Sequence, residues 1–104
     1  MLRVLKIEGQ DRPVAVCDLC HDRIADAAEG RFYWATNEKG ELVEKGRILF
    51  LHQRCSKSFE KGNHHLDWCQ LPLEYLPILL GDTLNLDWNA ARKRTDDGGH
   101  KEHT

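Results

Sequence analysis

A small α+β fold with a C-terminal helical extension is predicted by three features of the 104-residue sequence. Two pairs of metal-ligand type residues, Cys17-Asp18-Leu19-Cys20 and His52-Gln53-Arg54-Cys55, stand far apart. Short runs rich in β-branched and aromatic residues lie before and between them, bounded by Gly and polar residues. After residue 62 the pattern changes to leucines spaced three and four apart, the mark of an apolar helix stripe.

Each element follows in order. Residues 3–7 and 13–16 are extended pieces around the turn residues Gly9, Gln10 and Asp11, and the second delivers the chain to Cys17. Residues 31–36 (Arg-Phe-Tyr-Trp-Ala-Thr) and 47–51 (Arg-Ile-Leu-Phe-Leu) flank a polar, Gly-bearing connection that includes Leu42-Val43, which predicts an antiparallel hairpin. Residues 52–61 hold neither Pro nor Gly and stop before Gly62-Asn63, so they read as a helix of two to three turns with Phe59 facing inward. Leu73, Leu76, Leu80 and Leu84 form the leucine stripe, and Pro77 either starts that helix or kinks it. Asp87 is placed to cap a last helix through Lys93. The expected organisation is a ligand-bearing domain at 1–62, a leucine-rich helical extension packed on it at 63–95, and a disordered polar tail at 96–104.

Composition bounds the function. Lys and Arg number 15 against 17 Asp and Glu, and 40% of residues are apolar, as in one small soluble domain. So short a chain gains from an added staple such as a metal. No run approaches the roughly 18 apolar residues of a membrane span. The first six residues alternate charged with apolar side chains and lack the apolar core of a secretory signal, which predicts a cytoplasmic setting where thiols stay reduced. Charge is uneven: residues 1–61 carry 11 basic and 10 acidic groups, whereas 62–91 carry only Asp67, Glu74, Asp82 and Asp87. Arg92, Lys93 and Arg94 then form the one dense basic cluster.

The two pairs carry the chemistry. Three thiolates and a neutral imidazole suit the tetrahedral preference of Zn2+. A two-residue gap lets Cys17 and Cys20 point to one centre across a tight turn, and the same gap at a helix start puts His52 and Cys55 on one face. A knuckle, a hairpin and a helix whose first turn supplies the last two ligands make a treble clef. With all four positions filled by protein, the single Zn2+ is expected to be structural rather than catalytic. The resulting negative site is expected to be offset by Arg23, Arg54 or Lys57 and by the helix N-terminus. Cys69 and the pair His64-His65 are the competing ligands for the place of His52.

The order Cys-x-x-Cys, Ile24, an aromatic strand at residues 30–34 and an apolar strand ending in His-x-x-Cys resembles the zinc finger of poly(ADP-ribose) polymerases over residues 14–60. The resemblance implies the metal, the fold and the ligands Cys17, Cys20, His52 and Cys55. In that family the finger recognises DNA breaks, a task that needs a basic, phosphate-facing surface, whereas this finger is nearly neutral.

The residues point to three classes of function. The first is a non-enzymatic interaction module, an adaptor or regulatory protein, in which Leu73, Leu76, Leu80 and Leu84 dock a protein partner or a second copy unless they cover the chain's own sheet. The alternative is DNA or other nucleic-acid binding through Arg54, Lys57, Arg92, Lys93 and Arg94. An enzyme is not expected: no Ser-His-Asp order, phosphate-cradling Gly loop or convincing carboxylate pair is present, and a nuclease at Asn63-His64-His65 would lack its general base and open metal position. A small-molecule substrate and a membrane are not expected either.

Overall fold

A computed structural model of the chain describes residues 1–97 and shows a small α+β protein. It divides after Glu74 into two compact units.

Unit 1 opens with a hairpin of β1 (Leu2–Ile7) and β2 (Gln10–Val16). Ile7 pairs with Gln10, leaving Glu8 and Gly9 as a two-residue loop with φ of +50° and +81°. Positive φ at both positions is what a hairpin turn compatible with strand twist requires, and Gly9 supplies it without strain. β3 (Arg23–Ile24) adds to β2, giving the antiparallel order β1-β2-β3.

The second sheet has β4 (Gly30–Thr36) at its centre, flanked by β5 (Leu49–His52) and β6 (Asp67–Pro72), all antiparallel. The expected hairpin is β4 with β5, in the register Phe32 opposite Phe50. Leu42 contributes only an isolated bridge to Thr36. Beyond β5, residues Gln53–Cys55 form a 3-10 turn that runs into α1 (Ser56–Gly62). Phe59 of α1 does face inward, between Tyr33 (ring centroids 5.6 Å) and Trp68 (4.9 Å). Burial of one such ring stabilises a fold by about 1.5–3 kcal/mol. Asn63 ties the helix end to β6: its side-chain amide donates to the Phe59 carbonyl (2.9 Å), and its own carbonyl accepts from Trp68 Nε1 (2.8 Å).

β6 corrects the expected boundary at residue 62. Residues 67–72 pair with β4 along their whole length instead of opening the helical extension. The free edge of β4 needs backbone partners, and alternation puts Trp68 on the Tyr33–Phe59 side. Pro72 is tolerated because it ends the strand. Leu73 is buried, and a methyl added at Gly30 would lie 2.7 Å from its Cδ2. Leu73 is therefore core of unit 1, not part of a helix stripe.

Unit 2 contains α2 (Tyr75–Thr83) and α3 (Trp88–Asp97). Pro77 lies in the first turn of α2, where its missing N–H is not needed. Asn85 (φ +52°) ends α2: Leu86 N–H donates to the Gly81 carbonyl (2.8 Å) and Asn85 N–H to that of Asp82 (3.3 Å). This pairing is a Schellman motif, with Asn85 in the place usually taken by Gly. Asp87 caps α3 as expected, its Oδ1 accepting from Ala90 N–H at 3.0 Å. The expected stripe is again altered, since Leu76 and Leu80 lie on α2 while Leu84 follows its end. Residues 75–80 are all apolar, so α2 is apolar around its circumference. α3 runs as far as Asp97, and the rest of the expected polar tail lies outside the described residues. No helix among the described residues is long and apolar enough to cross a membrane.

Candidate metal centre

Between β2 and β3 the chain reverses over residues 17–22. Cys17 N–H donates to the Asp22 carbonyl and His21 N–H to the Cys17 carbonyl, both at 2.9 Å. His21 takes φ +66°, the left-handed conformation that lets the turn close, and His adopts it more readily than most side chains. The result is a knuckle with Cys17 fully buried and Cys20 half-buried.

Asp18 joins this knuckle to β5. Its N–H donates to the Phe50 carbonyl (2.7 Å), and its Oδ2 accepts from Phe50 N–H (2.8 Å). Because Phe50 stands two residues before His52, this double link carries the second ligand pair to the first. His52 is the last residue of β5, in extended conformation, rather than a member of the helix. Cys55 closes the 3-10 turn and is buried.

Cys17, Cys20, His52 and Cys55 each offer one ligand atom, and these atoms lie within 4.8 Å of one another, so the four could hold one metal ion. His52 Nδ1 is 3.3 Å from Cys20 Sγ, while Nε2 is 3.1 Å from the Arg23 carbonyl. With Nε2–H donating to that carbonyl, Nδ1 presents its lone pair to the three sulfurs. A backbone acceptor behind the ring is the usual way a metal-binding imidazole is oriented.

Electrostatics point the same way. Burial raises the Cys17 thiol, but N–H groups of Cys20, His52 and Leu19, with the His52 ring, outweigh it and bring the thiol down to about 6 from 9.0. Cys55 is pushed up to about 11 by burial and by the neighbouring sulfurs of Cys17 and Cys20. The cage thus favours a first thiolate and resists further negative charge. A bound cation removes that conflict.

The remaining candidates are not assembled around this centre. Cys69 sits on β6 opposite Trp34, and His64 and His65 are exposed, with His64 Nδ1 3.1 Å from the Lys61 carbonyl. Arg23 meets the centre through its backbone carbonyl, a role that a reading of charges does not suggest. Arg54 and Lys57 are exposed on the 3-10 turn and on α1. An open groove of about 320 Å³ beside His52 is lined by Glu29, Gln53 and Arg54, so both signs of charge face it. Arg92, Lys93 and Arg94 are exposed on consecutive positions of α3 and fan out by roughly 100° each instead of lining one face. Asp18 is a positioning residue that residue type and spacing do not reveal. Its position inside the Cys-x-x-Cys turn is the one signal that points to it.

No family model matches the chain, nor does any curated protein or solved structure.

Proposed function

We propose that the chain is a zinc-stabilised, non-enzymatic interaction module of the treble-clef type, acting as a protein-binding adaptor or regulator. The observation that carries this reading is the convergence of Cys17, Cys20, His52 and Cys55, three of them buried, with His52 oriented by the Arg23 carbonyl. Three soft sulfurs and one imidazole nitrogen favour zinc over hard cations. Four protein donors complete a tetrahedron, so the ion has no place for substrate and its work is to hold the knuckle, the β4–β5 hairpin and α1 together. The succession of knuckle, hairpin and helix supports the treble-clef assignment. Zinc kept by thiolates also suits the reducing cytoplasm.

Protein binding is favoured over nucleic-acid binding by the distribution of charge. The groove at His52 is lined by both Arg54 and Glu29, and phosphate would meet both signs of charge. Of the poly(ADP-ribose) polymerase finger, the proposal keeps the ligand order and leaves out DNA-break recognition. Elemental analysis of protein purified without chelator tests the reading: one equivalent of zinc is expected, and absence of stoichiometric metal would overturn it. Salt-titrated binding to duplex and single-stranded probes is expected to show no affinity even at low salt.

A further inference from the structure

The three sulfurs of the metal centre differ in their access to solvent. Cys17 and Cys55 are buried, whereas Cys20 is half-buried. Coordination to a divalent cation deprotonates a thiol outright, so each donor sulfur is held at neutral pH as a thiolate, the nucleophilic form. Zinc has no redox chemistry of its own, and oxidation at such a centre therefore falls on sulfur. Of the three, Cys20 is the one that a small oxidant in water reaches.

A second thiolate stands beside it. Cys20 N–H points to Cys17 Sγ at 3.5 Å, and His21 N–H closes the turn on the Cys17 carbonyl at 2.9 Å. The ligand atoms of the centre lie within 4.8 Å of one another, so the two sulfurs of the knuckle need only a short approach to meet. Cys55 belongs to the same cluster but stands 35 positions beyond Cys20 in sequence. Its nearness depends on the whole of unit 1, whereas that of Cys17 depends on one short loop, whose closure costs less entropy. Cys69 is half-buried too, yet it sits on β6 opposite Trp34, outside the ligand cluster. Exposure alone does not single out Cys20; exposure beside a second thiolate does.

We infer that the Cys17–Cys20 knuckle is an oxidation site: hydrogen peroxide joins the pair as a disulfide, and the chain thereby loses its metal. The inference rests on the zinc reading above. Cys20 Sγ attacks one peroxide oxygen, so that an S–O bond forms as the O–O bond breaks, and the departing hydroxide takes a proton from solvent to become water. Cys17 Sγ then attacks Cys20 Sγ: the S–S bond forms, the S–O bond breaks, and a second hydroxide leaves as water with another solvent proton. Two thiolates together lose two electrons, and one peroxide is reduced to two waters. His52 and Cys55 remain as half a donor set, which does not satisfy a four-coordinate ion. Because metal binding is coupled to folding, oxidation loosens unit 1 as chelation does. A dithiol reductant reverses the step by exchange.

The test treats the full, reduced, zinc-loaded chain with hydrogen peroxide beside a zinc indicator, then alkylates the free thiols and maps the peptides by mass spectrometry. Zinc is expected to fall from one equivalent to none as free thiols fall from four to two, with Cys17 joined to Cys20 and Cys55 alkylated. A dithiol with added zinc should restore both. Cys69→Ser should release zinc as the wild-type chain does. Zinc that stays bound after Cys69 has been oxidised would overturn the inference, as would a Cys69→Ser chain that keeps its metal. So would release with Cys20 linked to Cys55, to Cys69 or to a second chain, or with a sulfinate at Cys20 that the dithiol does not reverse. Metal content before treatment separates the two readings: a loaded chain that withstands peroxide sinks the switch alone, whereas an untreated chain without metal sinks the zinc module.

Discussion

Asp18 and Phe50 exchange two hydrogen bonds, backbone to backbone at 2.7 Å and backbone to carboxylate at 2.8 Å, across 32 positions of sequence. This link fastens the Cys17–Cys20 knuckle to the strand that ends in His52, alongside the contacts of the His52 ring with Cys20 Sγ and the Arg23 carbonyl. Asp18→Ala should leave the Phe50 N–H without its partner and cost about 1–3 kcal/mol of stability. By loosening the ligand frame it should also weaken metal affinity about 10–100-fold, read by competition with a chelating dye. Asp18→Asn, which keeps an acceptor oxygen, should do less harm.

Ligand identity separates by substitution. His52→Ala should remove the nitrogen donor and lose stoichiometric metal, whereas Cys69→Ala, on the far strand β6, should retain one equivalent. Elemental analysis of both variants checks this. Full metal in His52→Ala would refute the assignment.

Stability should follow the metal. The unfolded chain has no assembled site, so binding free energy becomes folding free energy, on the order of 10 kcal/mol for structural zinc. Prolonged chelation should abolish the cooperative thermal transition of unit 1, followed by circular dichroism, and added zinc should restore it.

The pH dependence has a definite sign. Cys17 is depressed to about 6 from 9.0, so its thiolate contributes stability that is present above its ordinary pKa and lost as pH falls through about 6. Protons also compete with the cation for the same sulfurs. Zinc should therefore be held at neutral pH and released progressively on acidification through and below pH 6, as a zinc-indicator titration would show.

Packing at Gly30, opposite His52 in the β4–β5 register, tests the core of unit 1. An added methyl would lie 2.7 Å from Leu73 Cδ2 and 2.9 Å from Ile24 Cγ2, inside the core of unit 1. Gly30→Ala should destabilise by about 1–3 kcal/mol in chemical denaturation.

The candidate donor set is legible because its chemistry is local: the Cys-x-x-Cys and His-x-x-Cys pairs announce themselves by residue type and spacing, although His52 proves to end β5 and Cys55 to close a 3-10 turn where spacing predicts one helix face. Hairpin and cap signals are legible for the same reason, as at Gly9 and Asp87. The segment after residue 62 departs from the expectation because Leu73, Leu76, Leu80 and Leu84 share helical spacing while belonging to different structures. Leu73 follows a strand and is buried at Gly30, Leu76 and Leu80 lie on α2, and Leu84 lies past its end. Short apolar runs do not declare whether a sheet edge or a helix will take them.

By itself, then, the sequence determined the candidate donors, the Cys-x-x-Cys turn that presents the first pair and the small α+β class, since these depend on neighbours a few residues apart. Tertiary structure decided that β6 completes the β4 sheet, that Asp18 clasps Phe50, and that the Arg23 carbonyl steers the His52 ring. Those choices depend on which unsatisfied strand edge, N–H and ring nitrogen come within reach once the chain has closed on itself, a question of distance in space that spacing along the chain does not contain.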